Sequence, residues 1–456
     1  MNPFLVKNVF FPIYEKIRGW DTLKCLKELR KTQWYPEEKI KEYQWKKLKF
    51  LLQHAYDNVP YYRNMFKKLK IHPNDISSFQ DFKKIPCLTK KDIKKDINSF
   101  ISKDARKRGM IKMNTGGSTG EPLIFYVDKR RISYDRASHI RAREWWGIDV
   151  GDREIVLWGS PIETTSQDRI KDIRDWFFNT KLLSAFKTSE EKMIKYAKII
   201  KHFNPRHIFG YGSSIYLFCK TMMKKGIYLK NLDVKVVFVT ADMLYDHHRK
   251  LIEEYFKCPV ANGYGSRDGG FIAHECPEGN MHLTENIYVE ILNNGKEVNY
   301  GEMGEVVITH LDNYTMPFIR YRTGDWAILS KKSCSCGRKL EIMESIEGRT
   351  TDFITTSKGK VMHALSLIYI LRDIEGIEAF KIIQKRLDHL EIEIVRNNYF
   401  SFKSEEKIRK KIVQVMEDRN VKIDFKYPDY IKMEPSGKHR YVVSKVTCEK
   451  NFSQKG

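Results

Sequence analysis

The nine residues Asn114-Thr115-Gly116-Gly117-Ser118-Thr119-Gly120-Glu121-Pro122 gather three glycines, two threonines and a serine just ahead of the apolar run Leu123–Val127. Glycine admits positive φ and lets a backbone come close to a ligand. Successive N–H groups in such a loop make a concave anion site, and hydroxyls add donors to phosphate oxygens. A nucleotide triphosphate is a guest such a loop fits. A Gly/Ser surface turn between two strands is the other reading, and the loop alone leaves both open.

Four more constellations follow in order. Gly263-Tyr264-Gly265-Ser266-Arg267-Asp268-Gly269-Gly270 offers an aromatic ring able to stack on a base and a carboxylate, Asp268, able to hold Mg²⁺ at a triphosphate. Ile319-Arg320-Tyr321-Arg322-Thr323-Gly324-Asp325 ends in a carboxylate suited to accept hydrogen bonds from two ribose hydroxyls. Gly348-Arg349 precedes a change of character near residue 350, and Glu434-Pro435-Ser436-Gly437-Lys438 presents a lysine on a glycine-containing loop. Separately, Cys276 and His282 are followed by Cys334-Ser335-Cys336-Gly337. Three thiolates and an imidazole satisfy a closed, structural tetrahedral Zn²⁺ site, with His274 as a reserve ligand. Free cysteines beside a surface histidine are the alternative, because more than fifty positions separate the two halves.

In this order the motifs resemble the adenylate-forming superfamily of acyl-CoA synthetases, peptide-synthetase adenylation domains and luciferases, and within it the phenylacetate–CoA ligase family and its CapK-like branch. The resemblance covers nearly the whole chain, including LLQHAYDNVPYYRN (51–64), NPRHIFGYGSS (204–214) and VVFVTADML (236–244). It implies a large N-terminal multi-sheet α/β domain, a small mobile C-terminal α+β domain, and two half-reactions. A carboxylic acid attacks the α-phosphate of ATP to give an acyl-adenylate and pyrophosphate, and then CoA thiol or another nucleophile takes the acyl group. Carried over by position, Thr115, Gly116, Gly117, Ser118, Thr119 and Gly120 grip the triphosphate. Gly263, Tyr264, Gly265 and Ser266 line the adenine, Asp268 holds Mg²⁺, Asp325 the ribose, and Arg349 the ribose or phosphate edge. Lys438, Asp268 and Thr119 form the catalytic set, with Lys438 bridging the attacking carboxylate and the α-phosphate. The loop lacks the Gly-Lys-Ser/Thr of a Walker sequence, so this lysine comes from the C-terminal domain.

The chain departs from the family at Asp268 and Asp242, where glutamate is usual, and at the hinge, which falls near Thr351 and Asp352. Arg267 either pairs with an anionic substrate group or forms a structural ion pair. Other functions stay in view. They are a CapK-type enzyme of capsular or envelope polysaccharide synthesis using a carbohydrate acid or an amine acceptor, an adenylyltransferase like the deazaflavin-coenzyme synthetases, and a non-enzymatic nucleotide- or nucleic-acid-binding zinc protein.

The elements that must position these groups follow from size and pattern. The 456 residues, 41% hydrophobic and 12% aromatic, suit a soluble globular enzyme of two domains, placed at 1–350 and 351–456. Residues 37–58 have apolar positions at helical spacing, ended by a Pro-containing turn at VPYYRN. Strands at 154–158, 234–239, 289–292 and 305–309 alternate with helices at 189–203, 213–225 and 246–256, and Asn293-Asn294-Gly295 marks a hairpin. Beyond 350 the order is strand, helix 364–373, strands 378–383 and 389–395, helix 403–417 and strand 421–426.

The net charge of +24, from 82 basic and 58 acidic residues, is spread along the chain and reads as solvated surface more than a nucleic-acid face. No apolar run approaches the ~20 residues of a bilayer span. Eight cysteines without an export signal argue against disulfides, and Cys25, Cys87, Cys219, Cys258 and Cys448 read as packing residues. The N-terminal apolar cluster (Phe4, Leu5, Val9, Phe10, Phe11, Ile13) is expected to be buried, with contact to a membrane surface as the alternative. A cytoplasmic place, or the inner face of the membrane, follows, and a homodimer is compatible with the sequence.

Overall fold

Short β-branched and aromatic runs separated by amphipathic helices build an open sheet here. The computed structural model describes residues 1–115, 123–158, 174–185, 189–349, 353–357, 361–363, 365–431 and 441–446. These divide into two compact units, the first holding 1–323 and 327–346 and the second holding 324–326 and 347–434 among its segments.

In the first unit a two-stranded hairpin, β1 (Ile111–Asn114) and β2 (Ile124–Val127), carries the glycine-rich loop between its strands. The central strands are β3 (Glu154–Trp158), β4 (Thr180–Ser184), β5 (His207–Gly210), β6 (Val236–Thr240) and β7 (Val260–Ser266). All five pair in parallel, in the order β4-β3-β5-β6-β7. Parallel neighbours need crossovers, which the helices Glu190–Phe203, Gly212–Lys224 and Asp246–Phe256 supply. The sheet then turns antiparallel through β8 (Gly270–Glu275) and β9 (Met281–Leu283). It continues with β10 (Ile287–Asn293), β11 (Lys296–Glu297), β12 (Met303–His310), β13 (Tyr321–Ser330) and β14 (Ile342–Arg349). The twelve strands lie in the order β11-β10-β12-β13-β14-β9-β8-β7-β6-β5-β3-β4. Asn294 and Gly295, both at positive φ (50° and 77°), form the two-residue turn between β10 and β11 that the sequence marks.

The helix Glu37–Asn58 forms as its periodicity predicts. Pro60 does more than stop it: Val59 is extended, and Pro60 occupies the first turn of a second helix, Pro60–Leu69, where its missing N–H costs nothing.

The second unit pairs β15 (Phe353–Thr355) with β16 (Val361–His363) and builds a four-stranded sheet in the order β19-β18-β17-β20. Its strands are β17 (Ile377–Arg386), β18 (His389–Arg396), β19 (Lys422–Lys426) and β20 (Val442–Ser444). The helices Leu365–Arg372 and Phe402–Met416 complete this α+β unit. No helix among the described residues is long and apolar enough to cross a membrane.

Candidate functional site

The glycine-rich loop is gripped at its base. Thr115 donates its N–H to the Leu123 carbonyl at 2.9 Å, and its hydroxyl accepts the Leu123 N–H at 2.9 Å. Buried Phe125 and Val127 root β2 in the same apolar core as Tyr264 and Tyr321. Thr115 therefore closes the stem. Gly116, Gly117, Ser118, Thr119 and Gly120 lie outside the described residues.

The second motif begins on β7, where Gly263, Tyr264, Gly265 and Ser266 are strand residues and a bulge falls between Tyr264 and Gly265. A side chain at Gly265 would meet the Gly270 carbonyl at 2.6 Å, so only glycine permits this tight reversal. Ser266 Oγ accepts the Gly269 N–H at 2.8 Å and shapes the turn that presents Asp268. Arg267 reaches the Asn114 carbonyl at 3.4 Å, tying this turn to the loop stem. Buried Arg131 holds the Arg267 carbonyl at 2.8 Å.

Asp268 is buried, and its Oδ2 accepts the Tyr321 hydroxyl at 2.6 Å. Lys90 Nζ stands 3.6 Å from the same oxygen. Burial alone would raise the Asp268 carboxyl, but the Lys90 charge and hydrogen bonds from Tyr321 and Ser266 outweigh it and hold the group below the usual carboxylate range. Asp268 thus favours its ionised form at neutral pH, beside the stem of the glycine-rich loop.

Lys90 and Tyr321 are functional candidates that the residue patterns did not single out. Leu88 is bonded to β13 on both sides: its N–H donates to the Arg320 carbonyl at 2.8 Å and its carbonyl accepts the Arg322 N–H at 2.9 Å. Two residues later Lys90 opens a helix capped by Thr89 and Asp92, which bond reciprocally at 3.3 and 3.0 Å. Arg320 anchors the start of β13 by a bidentate pair with Glu290 at 2.9 and 3.0 Å. These ties deliver Tyr321 and Lys90 to one carboxylate.

Asp135 braces the strand that leaves this turn. Its Oδ1 accepts the Phe271 N–H at 3.3 Å and faces His310 Nε2 at 3.2 Å. Burial pushes this carboxyl up, while the His310 hydrogen bond and charge, Arg131 and the Phe271 N–H bring it down to about 2. A depressed carboxyl stabilises the fold fully above its unfolded value near 3.8, and that contribution fades as pH falls through about 2. Asp135→Asn should therefore cost about 2 kcal/mol near pH 6, the gap to the wild type closing as pH approaches 2, in thermal unfolding followed against pH. A gap constant from pH 6 to pH 2 would remove this role.

Asp242, two residues past the end of β6, accepts the N–H groups of Gly212 and Ser213 at 2.9 and 3.1 Å and caps the helix they begin. Asp325 lies on β13 and is buried, and Arg349 is the last residue of β14, its side chain outside the described set. Lys438, Thr351 and Asp352 also fall outside the described residues.

A second cluster joins the four residues expected to bind zinc. The ligand atoms of Cys276, His282, Cys334 and Cys336 lie within 4.8 Å of one another. The Sγ atoms of Cys276 and Cys334 are 3.6 Å apart, and Cys336 Sγ is 3.3 Å from His282 Nε2. A tetrahedral zinc with ordinary Zn–S and Zn–N lengths spans edges of roughly 3.6–3.8 Å. His282 Nδ1 faces the Leu340 carbonyl at 3.3 Å, which fixes the tautomer with Nε2 free to coordinate. Asn280 donates to Cys334 Sγ at 3.2 Å. Each cysteine turn closes on itself through a glycine at positive φ, Gly279 (76°) and Gly337 (83°). The sheet order brings them together, because β9, carrying His282, lies between β8 and β14. His274 is turned to the Glu275 carbonyl at 2.8 Å and stands outside this quartet.

Residues 354–445 match the CapK C-terminal domain family. The chain is 26% identical over 399 residues to protein CapK of Staphylococcus aureus, covering 85% of this chain and 86% of that protein. It is 27% identical over 334 residues to the phenylacetate–coenzyme A ligase of Escherichia coli (strain K12), covering 70% and 72%. Among solved structures, 2-hydroxyisobutyryl-CoA ligase in the postadenylation state, in complex with R3-HIB-AMP, superposes with a TM-score of 0.74 at 18% identity, over 90% of this chain and 91% of that one. An anthranilate CoA ligase in complex with anthranoyl-AMP gives 0.52 at 13% identity, over 72% and 64%. At these identities the structural likeness is one of fold, that of the adenylate-forming CoA ligases.

Proposed function

We propose that this chain, a relative of CapK and the phenylacetate–coenzyme A ligases, activates a carboxylic acid as its acyl-adenylate and passes the acyl group to CoA or another nucleophile. One observation carries the reading: a buried carboxylate, Asp268, stands beside the stem of a glycine-rich loop with a lysine 3.6 Å from its oxygen, in a fold whose solved neighbours include complexes with acyl-AMP molecules.

The chemistry asks for this arrangement. A substrate carboxylate oxygen bonds to the α-phosphorus of ATP as the bond to the bridging oxygen breaks and pyrophosphate leaves. Negative charge gathers on the phosphates, so fixed N–H dipoles and cations lower the barrier. In the proposal the loop 115–120 supplies the dipoles, Lys90 and Lys438 supply charge, Tyr264 and its glycine neighbours receive the base, and Asp325 and Arg349 receive the ribose. A single buried carboxylate fits Mg²⁺ as one ligand among phosphate and water oxygens, and the ion would neutralise the leaving pyrophosphate. In the second half-reaction the incoming nucleophile bonds to the acyl carbon, AMP departs with the bonding electron pair, and the nucleophile's proton passes to solvent. The Cys276, His282, Cys334 and Cys336 quartet suits a structural zinc ion with no open position.

Acid-dependent exchange of pyrophosphate into ATP, measured across aryl, fatty, amino and uronic acids, tests the activity and sorts its substrates. Exchange with none of these classes would count against the reading. Lys90→Met should lower exchange about tenfold and move the acid limb of its pH profile upward, because losing the neighbouring charge lets burial raise Asp268. An unmoved acid limb would show that Lys90 has no hold on Asp268.

A further inference from the structure

The N-terminal helix departs from the burial its sequence suggests. Pro3–Arg18 is one continuous helical rod in which Val6–Phe10 form a π-helical turn. Val6 and Phe11 point into the protein, and Phe10 packs on Phe177 with ring centres 5.3 Å apart. The other side is also apolar and faces solvent. Phe4 is 70% exposed, Val9 41%, Ile13 52% and Ile17 76%, and Leu5 is exposed with them. Leu5, Val9, Ile13 and Ile17 recur every fourth residue, and the wide π turn holds them on one stripe. Trp176, exposed, stands beside Phe177 at 5.1 Å between ring centres and extends the apolar surface from the adjoining segment. A helix that is apolar on both sides has a second apolar environment to satisfy.

The charge of the same N-terminal stretch favours one such environment. Residues 1–34 hold seven basic residues (Lys7, Lys16, Arg18, Lys24, Lys27, Arg30, Lys31) and three acidic ones (Glu15, Asp21, Glu28). Glu15 is buried and paired with Arg136 at 3.1 Å, and the half-buried Glu28 accepts hydroxyl bonds from Tyr43 and Tyr134 at 2.5 and 2.9 Å. Only Asp21 is an exposed acid in this stretch, against exposed Lys16, Arg18, Lys24, Lys27 and Lys31.

We propose that the stripe Phe4, Leu5, Val9, Ile13 and Ile17 seats this protein on the surface of an anionic lipid bilayer, the aliphatic side chains entering the headgroup boundary and the basic residues meeting lipid phosphates. Interfacial helices bind through apolar insertion joined to electrostatic attraction. Trp176 is placed as an interfacial aromatic of the kind found at headgroup depth.

Sedimentation of the full chain with vesicles tests this. Binding is expected to vesicles containing phosphatidylglycerol, to weaken with added salt, and to be much poorer to vesicles of phosphatidylcholine alone. The exposed double substitution Ile13→Glu with Ile17→Glu should cut partitioning by tenfold or more, about 1.4 kcal/mol or greater, while circular dichroism and pyrophosphate exchange stay as in the wild type. Failure of the wild type to bind phosphatidylglycerol vesicles, or equal binding by the double variant, overturns the proposal. So does sedimentation equilibrium showing a dimer that the double variant converts to monomer, because the stripe would then be a contact between two copies.

Discussion

Lys438→Ala is expected to lower acid-dependent pyrophosphate exchange by about 10²–10³-fold, the range lost when one preorganised charge is removed from a developing oxyanion. Lysine is a compact cation on a flexible stem, suited to be carried to a reaction centre on a loop. Its proposed place between the attacking carboxylate and the α-phosphate makes it specific to the first half-reaction. The same variant, given pre-formed acyl-adenylate, should still hand the acyl group to its acceptor at close to the wild-type rate. Unfolding should be unchanged, since Glu434-Pro435-Ser436-Gly437-Lys438 is a polar loop sequence and not a core run. Exchange at the wild-type level in Lys438→Ala would falsify the assignment.

Metal removal is the second large effect. Purified protein should contain one zinc per chain by elemental analysis, and Cys334→Ser should lose it. Cys276 and Cys334 are buried, and without a cation burial pushes the Cys276 thiol up to about 12. A dication turns this dry thiol pair into a ligand set, and the binding energy of structural zinc is folding energy. Chelation or Cys334→Ser should therefore lower the melting temperature by about 5 °C or more. Cys219→Ser, at a buried cysteine outside the cluster, should keep the metal. Absence of metal, with melting untouched by chelator, would reduce the quartet to packing residues.

The periodic elements were legible because local pattern and burial agree. Ser189 caps the helix expected from 189, and β17, β18 and β19 fall where apolar alternation places them. The glycines of the Tyr264 motif were legible for a similar reason, since Gly265 answers a steric demand inside one turn.

Long-range order was not legible. The Thr89-x-x-Asp92 spacing can mark a helix start but says nothing of Asp268; the bonds of Leu88 to Arg320 and Arg322 bring Lys90 there. The zinc quartet could be suspected from residue types, but its convergence depends on β9 lying between β8 and β14. The N-terminal stripe misled for a different reason. Apolar residues at helical spacing imply a buried face, but two apolar faces on one rod cannot both turn inward. The contact of the Arg267 guanidinium with the Asn114 carbonyl at the loop stem is another long-range feature that residue types alone do not announce.

That stem also bears on how the loop can vary. Asn114 is paired with Ile124 and Ile111 with Val127, while Phe125 and Val127 are sunk in the core. Sliding the hairpin by one position would exchange its inward and outward side chains. An inserted or deleted residue between Thr115 and Leu123 cannot be taken up by the strands, so the loop must absorb it alone. Length in this segment is therefore an independent variable for directed evolution: libraries that lengthen or shorten it would change the connection without disturbing the register beneath.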